Sequence, residues 1–203
     1  MRLDHLILAC ADVDAAAARL LAEHGLGSVV GGEHPAWGTR NRIIPAGSAY
    51  VELMGVGDRA VAETTPLGRR VLEASADGDA WLGLAVEPDD LEATAARLGL
   101  PVSTGSRTRP DGSTLSWRSA GMEEMAARQV PFFLAWDGVR GADVHPDEGG
   151  PAEVVEVELG GDSDELGAWL GGDVPGLTLV GGARGVRRVE LRAPRGTFEL
   201  GRT

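Results

Sequence analysis

The chain has 203 residues, of which 43% are hydrophobic and 25% charged, a composition that belongs to folded globular proteins and excludes the disordered and collagenous classes. Nineteen arginines, no lysine and 31 acidic residues leave a net charge of −12, which argues against nucleic acid as a partner and removes Schiff-base and P-loop lysine chemistry. No apolar run approaches the roughly 18 residues of a membrane span, so no membrane is expected, and a neutral or cationic small molecule is the better-fitting ligand.

Thirty glycines and 11 prolines point to many turns and short strands. The first eight residues alternate, which predicts a strand with Leu3, His5, Ile7 and Ala9 on one face and Asp4, Leu6, Leu8 and Cys10 on the other. Asp12 can cap an Ala-rich helix over 13–25 that Gly25 ends. Strands are predicted near 28–32, 41–44 and 48–54, the last two joined by Pro45-Ala46-Gly47. Residues 66–73 spell a connecting helix with Pro66 in its first turn.

The same order returns from Ala80, with a strand over 81–86, a helix over 90–99 and strands over 102–108, 114–119 and 131–136, the first two of these joined by Pro110-Asp111-Gly112. Residues 12–20 and 90–98 agree at six of nine helix positions. A third copy follows a Gly- and Asp-rich linker over 138–151. It has a strand over 153–159, Asp162 as cap, a helix to Gly171, and strands near Leu177, over 186–192 and over 197–200. The expected class is therefore α+β, built from repeated βαβββ units. Residues 1–137 hold two paired units (1–55 and 79–137) that form a cleft, and residues 152–203 form a third unit packed on the same body. An odd third sheet suggests a homodimer that covers it.

His5 sits mid-strand among apolar residues, and in residues 49–54 Tyr50, Glu52 and Met54 face the concave side while Val51 and Leu53 face the helix. A buried carboxylate needs a partner. His5 and Glu52 could share a divalent metal or simply each other. Trp81, Trp117, Phe132, Phe133 and Trp136 cluster in the second unit, as core or as the wall of a cleft. Arg118 beside Trp117 could bind a ligand carboxylate there or lie on the surface.

The opening Leu3-Asp4-His5-Leu6-Ile7-Leu8, the segment His34-Pro35-Ala36-Trp37-Gly38-Thr39-Arg40-Asn41, then Tyr50-Val51-Glu52-Leu53 and Val130-Pro131-Phe132-Phe133-Leu134-Ala135-Trp136 resemble the glyoxalase-like branch of the vicinal oxygen chelate superfamily. The resemblance covers about the first three-quarters of the chain. It implies a half-barrel of paired βαβββ units whose first and last strands carry metal ligands, and it places His5 and Glu52 at the first unit's ligand positions. It also raises His34 and Asn41 as cavity-lining residues.

The second unit departs from the pattern, with Gly83 where His5 stands and no carboxylate in its last strand before Asp137. A standard glyoxalase I site is thus incomplete, and a metal would need a further ligand from His34, His145, Glu199 or Glu156. Two expectations follow. One is an enzyme with Glu52 as catalytic base and Zn, Ni, Mn or Fe held by His5, Glu52 and one of Glu199 or His145, performing lyase, isomerase or dioxygenase chemistry. The other is a metal-free small-molecule binding protein of the drug-sequestering kind. In either, His34, Asn41, Trp81, Trp117, Arg118 and Trp136 are the candidate ligand contacts. Cys10, the one cysteine, cannot form a disulfide within the chain; it fits a buried apolar position, and a reducing cytoplasm is the expected compartment.

Overall fold

A computed structural model describes residues 1–108, 114–137 and 152–200. The Pro110-Asp111-Gly112 turn and the linker over 138–151 lie outside these residues. The first unit comprises β1 (Arg2–Ala9), α1 (Val13–His24), β2 (Val29–His34), β3 (Thr39–Ala46) and β4 (Ala49–Val56). Two connecting helices follow, α2 (Arg59–Ala62) and α3 (Pro66–Ala74), and then the second unit, β5 (Ala80–Glu87), α4 (Leu91–Leu98), β6 (Ser103–Thr108), β7 (Thr114–Ala120), α5 (Met122–Arg128) and β8 (Phe132–Trp136). The third is β9 (Glu153–Gly160), α6 (Ser163–Leu170), β10 (Leu177–Val180), β11 (Gly185–Ala193) and β12 (Gly196–Leu200).

The three long-unit helices start and stop for the same local reasons. Asp12, Asp90 and Asp162 accept hydrogen bonds from first-turn backbone N–H groups, and Gly25, Gly99 and Gly171 end the helices in the left-handed region. Helix α5 lacks such a start: Gly121 precedes it with no side-chain cap.

Strands of the first two units form one curled eight-stranded sheet in the order β2-β3-β4-β1-β5-β8-β7-β6. Within each half the first strand runs parallel to the last, and β1 meets β5 antiparallel at the seam. The third unit keeps the βαβββ order of elements but not this pairing. Its sheet runs β10-β9-β11-β12, so that β9 is central and β12 lies at the edge.

Its inner face is covered by the chain itself. Val157, Leu159, Val189 and Leu191 join Leu6, Leu8, Leu84 and Val86 in one core on the convex side of the large sheet. The packing reason for a second copy over an odd sheet therefore falls away. The guanidinium of Arg97, on α4, donates to the carbonyl oxygens of Ala168, Trp169 and Leu170 at 2.6–3.0 Å, filling the C-terminus of α6 above Gly171. A smaller core on the concave side, with Ile7, Leu67, Val71, Leu82, Met125 and Phe132, closes one end of the half-barrel beneath α3 and α5. Among the described residues no helix is long and apolar enough to cross a membrane.

Candidate functional site

The concave face holds a narrow cleft of about 50 Å3 lined by His5, Ile7, His34, Trp37, Asn41, Ile43, Tyr50, Glu52, Met54, Trp117, Met122, Phe132, Leu134 and Trp136. Five sequence-selected residues beyond His5 therefore meet here: Glu52, His34, Asn41, Trp117 and Trp136.

Simple alternation puts Asp4 on the helix side and Leu3 beside His5, and the structure corrects both. A register irregularity between Leu3 and His5 in the β1–β5 pairing acts as a β-bulge. Leu3 turns into the convex core, and the Asp4 carboxylate reaches the His5 ring. Asp4 is 1% exposed and His5 3%, so each must be satisfied by protein. His5 Nδ1 lies 2.6 Å from Asp4 Oδ1, and Trp136 Nε1 donates to Asp4 Oδ2 at 2.8 Å. A carboxylate that receives an indole N–H on one oxygen is the acceptor for the ring on the other, which places the proton of a neutral His5 on Nδ1 and leaves Nε2 towards the cleft.

His5 Nε2 stands 3.6 Å from Glu52 Oε2, and the other Glu52 oxygen accepts from Asn41 Nδ2. Asn41 Oδ1 is buried without a hydrogen-bond partner among the described residues. This approach needs Gly31 on β2, where a Cβ would collide with the Asn41 carboxamide. Tyr50 stacks on the His5 ring at 4.6 Å, and Phe132 meets it edge-on at 5.5 Å. Across the cleft Trp117 and Trp136 form a T-shaped pair.

The second half contributes no counterpart to the His5–Glu52 pair. His5 opposes Ala85 and Ile7 opposes Gly83 across the seam, so Gly83 is the two-fold counterpart of His5. Ile7 pairs with Glu52 as Ala85 pairs with Phe132, so Phe132 stands where Glu52 does. Met125 of α5 occupies the space over Gly83.

Four selected residues are not in the cleft. Trp81 faces the convex side and donates from Nε1 to Leu200 O at 2.8 Å. The β1–β5 register shifts between Ile7 and Leu8, which pair with Gly83 and Trp81, so Leu82 is the extra residue and Trp81 changes face. Arg118 is on the surface, paired with Glu92 and with Asp137 at 3.0 Å. Glu199 lies on β12 of the other sheet, 2.6 Å from Arg188 Nε, and Glu156 pairs with the same arginine. These charges are the cross-strand surface network that mixed-sign strands suggest. His145 falls outside the described residues.

A divalent metal was the other expectation for His5 and Glu52. Among the described residues no three His, Cys, Asp or Glu side chains are grouped to hold an ion. Asp4 holds the far nitrogen of His5, and the second half offers glycine, phenylalanine and methionine where ligands would stand. The donor set does not fit the four-ligand site of the resemblance.

Sequence reasoning missed Asp4 and Trp37. For Asp4 a signal existed, since strict alternation would bury a lone carboxylate among Leu6 and Leu8. Cys10 lies buried on the helix side, its Sγ donating to Leu8 O at 3.4 Å, and burial followed by the charge of Asp79 pushes its thiol well above the ordinary range.

Comparison with solved structures finds a hypothetical protein from Staphylococcus aureus at TM-score 0.67 and 14% identity, covering 98% of this chain and 85% of that one. A Streptomyces coelicolor methylmalonyl-CoA epimerase variant in complex with 2-nitronate-propionyl-CoA superposes at TM-score 0.51 and 18% identity, over 70% of this chain and 98% of that one. At these identities the likeness concerns the fold. Comparison with curated proteins gives no match. The family model described as a glyoxalase-like domain matches residues 3–170, and the chain, with its paired βαβββ halves and single-sided polar cleft, belongs to that family within the vicinal oxygen chelate superfamily.

Proposed function

We propose that the cleft takes a small organic molecule with an apolar body and a carbonyl-bearing end, and that Glu52 and His5 move a proton on it. The observation that carries this reading is the facing of two buried proton-exchanging groups across 3.6 Å, each anchored from behind, His5 by Asp4 and Glu52 by Asn41. At this separation the carboxylate and the imidazole can act on neighbouring atoms of one ligand, one taking a proton while the other gives one.

With His5 protonated, Glu52 accepts the proton from the carbon next to the carbonyl. That C–H electron pair becomes the enolate C=C bond, and the carbonyl oxygen, now carrying the charge, receives the Nε2 proton of His5. Reversal at the same or a neighbouring carbon gives an epimer or an isomer, with the enzyme's proton count restored. The aromatic wall supplies burial and excludes water. No step is routed through a metal.

The test is exchange in deuterium oxide. A panel of small carbonyl compounds is incubated with the protein, and loss of the α-proton signal is followed by NMR. Exchange that falls at least about 100-fold in both Glu52→Gln and His5→Gln supports the assignment. Ligands that bind, detected by thermal shift, but never exchange would favour the stoichiometric binding protein. Exchange that survives in Glu52→Gln would remove Glu52 as the base. Elemental analysis of protein offered Zn, Ni, Mn and Fe completes the experiment, and a stoichiometric ion retained through desalting and lost in Glu52→Gln would restore the metal reading.

A further inference from the structure

A second cavity, sharing no lining residue with the cleft, opens where α3, α5 and the start of β5 meet β11 of the third unit. Its walls carry Arg70, Arg184 and Arg187 against one carboxylate, Glu73, with the Trp81 indole beside them. In a chain of net charge −12 a local surplus of guanidinium groups is out of keeping with the rest of the surface.

The arginines are incompletely used. Arg70 Nε is buried without a hydrogen-bond partner among the described residues, and its Nη1 comes no nearer than 3.8 Å to Glu73, a carboxylate 68% exposed. Arg187 makes no ion pair among the described residues, while its stem crosses Gly160, where a Cβ would come within 2.8 Å of it. Arg184 is engaged by Glu165, a carboxylate that also takes Arg128.

The cavity is also held in shape. Gln129 ends α5 in the left-handed region at φ 57°, its backbone N–H donating to Met125 O at 3.0 Å. With its carboxamide turned to the orientation that satisfies both neighbours, it donates to Arg184 O at 2.8 Å and accepts from Arg70 Nη2 at 2.8 Å, tying α3 to the third unit. Gly185 leaves the room this requires, since a Cβ there would strike the Gln129 amide. Trp81, fixed through its N–H to Leu200 O, presents a flat apolar surface next to the guanidinium groups.

We propose that this cavity binds a small organic anion, a phosphate or carboxylate carried on a planar ring, with the anionic group among Arg70, Arg184 and Arg187 and the ring against Trp81. Isothermal titration of the full chain with AMP, inorganic phosphate and adenosine tests it. AMP is expected to bind at one site with a Kd on the order of 0.1 mM, phosphate more weakly, and uncharged adenosine more weakly still.

Arg187→Gln, at an exposed position that leaves the fold intact, should weaken AMP at least about 10-fold. Glu52→Gln in the cleft should leave it unchanged, which keeps this proposal separable from the proton-transfer reading. Absence of saturable binding by both AMP and phosphate would overturn the proposal. Equal affinity in Arg187→Gln and the parent, or loss of AMP binding in Glu52→Gln, would do so as well.

Discussion

Replacing Asp4 with alanine removes the only carboxylate that holds both His5 Nδ1 and Trp136 Nε1, at 2.6 and 2.8 Å, in a place 1% exposed. Each bond to a charged acceptor contributes about 1.5–3 kcal/mol, and each N–H left buried and unpaired costs about 1–3 kcal/mol, partly the same energy counted from the other side. Relief from burying the charge offsets some of this, and breaking one partner out of a buried pair amounts to about 3–5 kcal/mol in all. With a urea m-value of about 2–3 kcal/mol/M, the unfolding midpoint should fall by about 1–2.5 M. Asp4→Asn keeps the volume and one acceptor oxygen, so about half that shift is expected. The assay is equilibrium urea unfolding followed by tryptophan fluorescence, with near-UV circular dichroism reporting the Trp136 environment. A midpoint for Asp4→Ala within about 0.3 M of the parent would refute the bulge geometry that brings Asp4 to the concave face.

Three other outcomes follow from particular contacts. Gly31→Ala should displace the Asn41 carboxamide from Glu52 and abolish ligand exchange while the fold survives, and full exchange activity in this variant would contradict the role given to Asn41. Arg97→Ala should lower Tm by about 3–6 °C through loss of the three bonds that close α6, and an unchanged Tm would show that water serves those carbonyls equally well. Glu165 is held below the ordinary glutamate range, chiefly by its bonds to Arg184 and Arg128. Its contribution is present above the unfolded pKa and is lost as pH falls through the lower folded value. The Tm difference between the parent and Glu165→Gln should therefore shrink from pH 6 towards pH 3, and a constant difference would refute the pairing.

Elements whose causes are local were legible in the sequence. Asp12, Asp90 and Asp162 with Gly25, Gly99 and Gly171 mark three helices, and the structure finds each cap in use. The cleft-facing set Tyr50, Glu52 and Met54 follows from period-two alternation in an unbulged strand. What stayed hidden depends on a partner strand. The extra residues at Asp4 and Leu82 arise in the pairing of β1 with β5, and each reverses the face of what precedes it, which hid Asp4 and misplaced Trp81. Helix α5 begins after Gly121 with no Ser, Thr, Asp or Asn to announce it, so nothing in the sequence signals that Met125 fills the space over Gly83. The four-residue α2 is too short to show a period. Glu199 shares its Glu-Leu context with Glu52, but β12 takes an edge position that the last strand of the first unit does not, and the similarity carries no positional meaning.

The imbalance between the two halves bears on the orientation of a guest molecule. His5, Glu52 and Asn41 all project from the first half, while the second lines the same cleft with Trp117, Met122, Phe132, Leu134 and Trp136. A molecule with one polar end has a single favourable way to lie there, because the reversed orientation would set that end against Phe132 and Leu134 with no donor or acceptor, at about 1–3 kcal/mol. That is a preference of roughly fivefold or more for the orientation that sets the polar end beside Glu52. A pseudo-symmetric half-barrel of this kind can therefore settle which end of a guest molecule meets its polar groups.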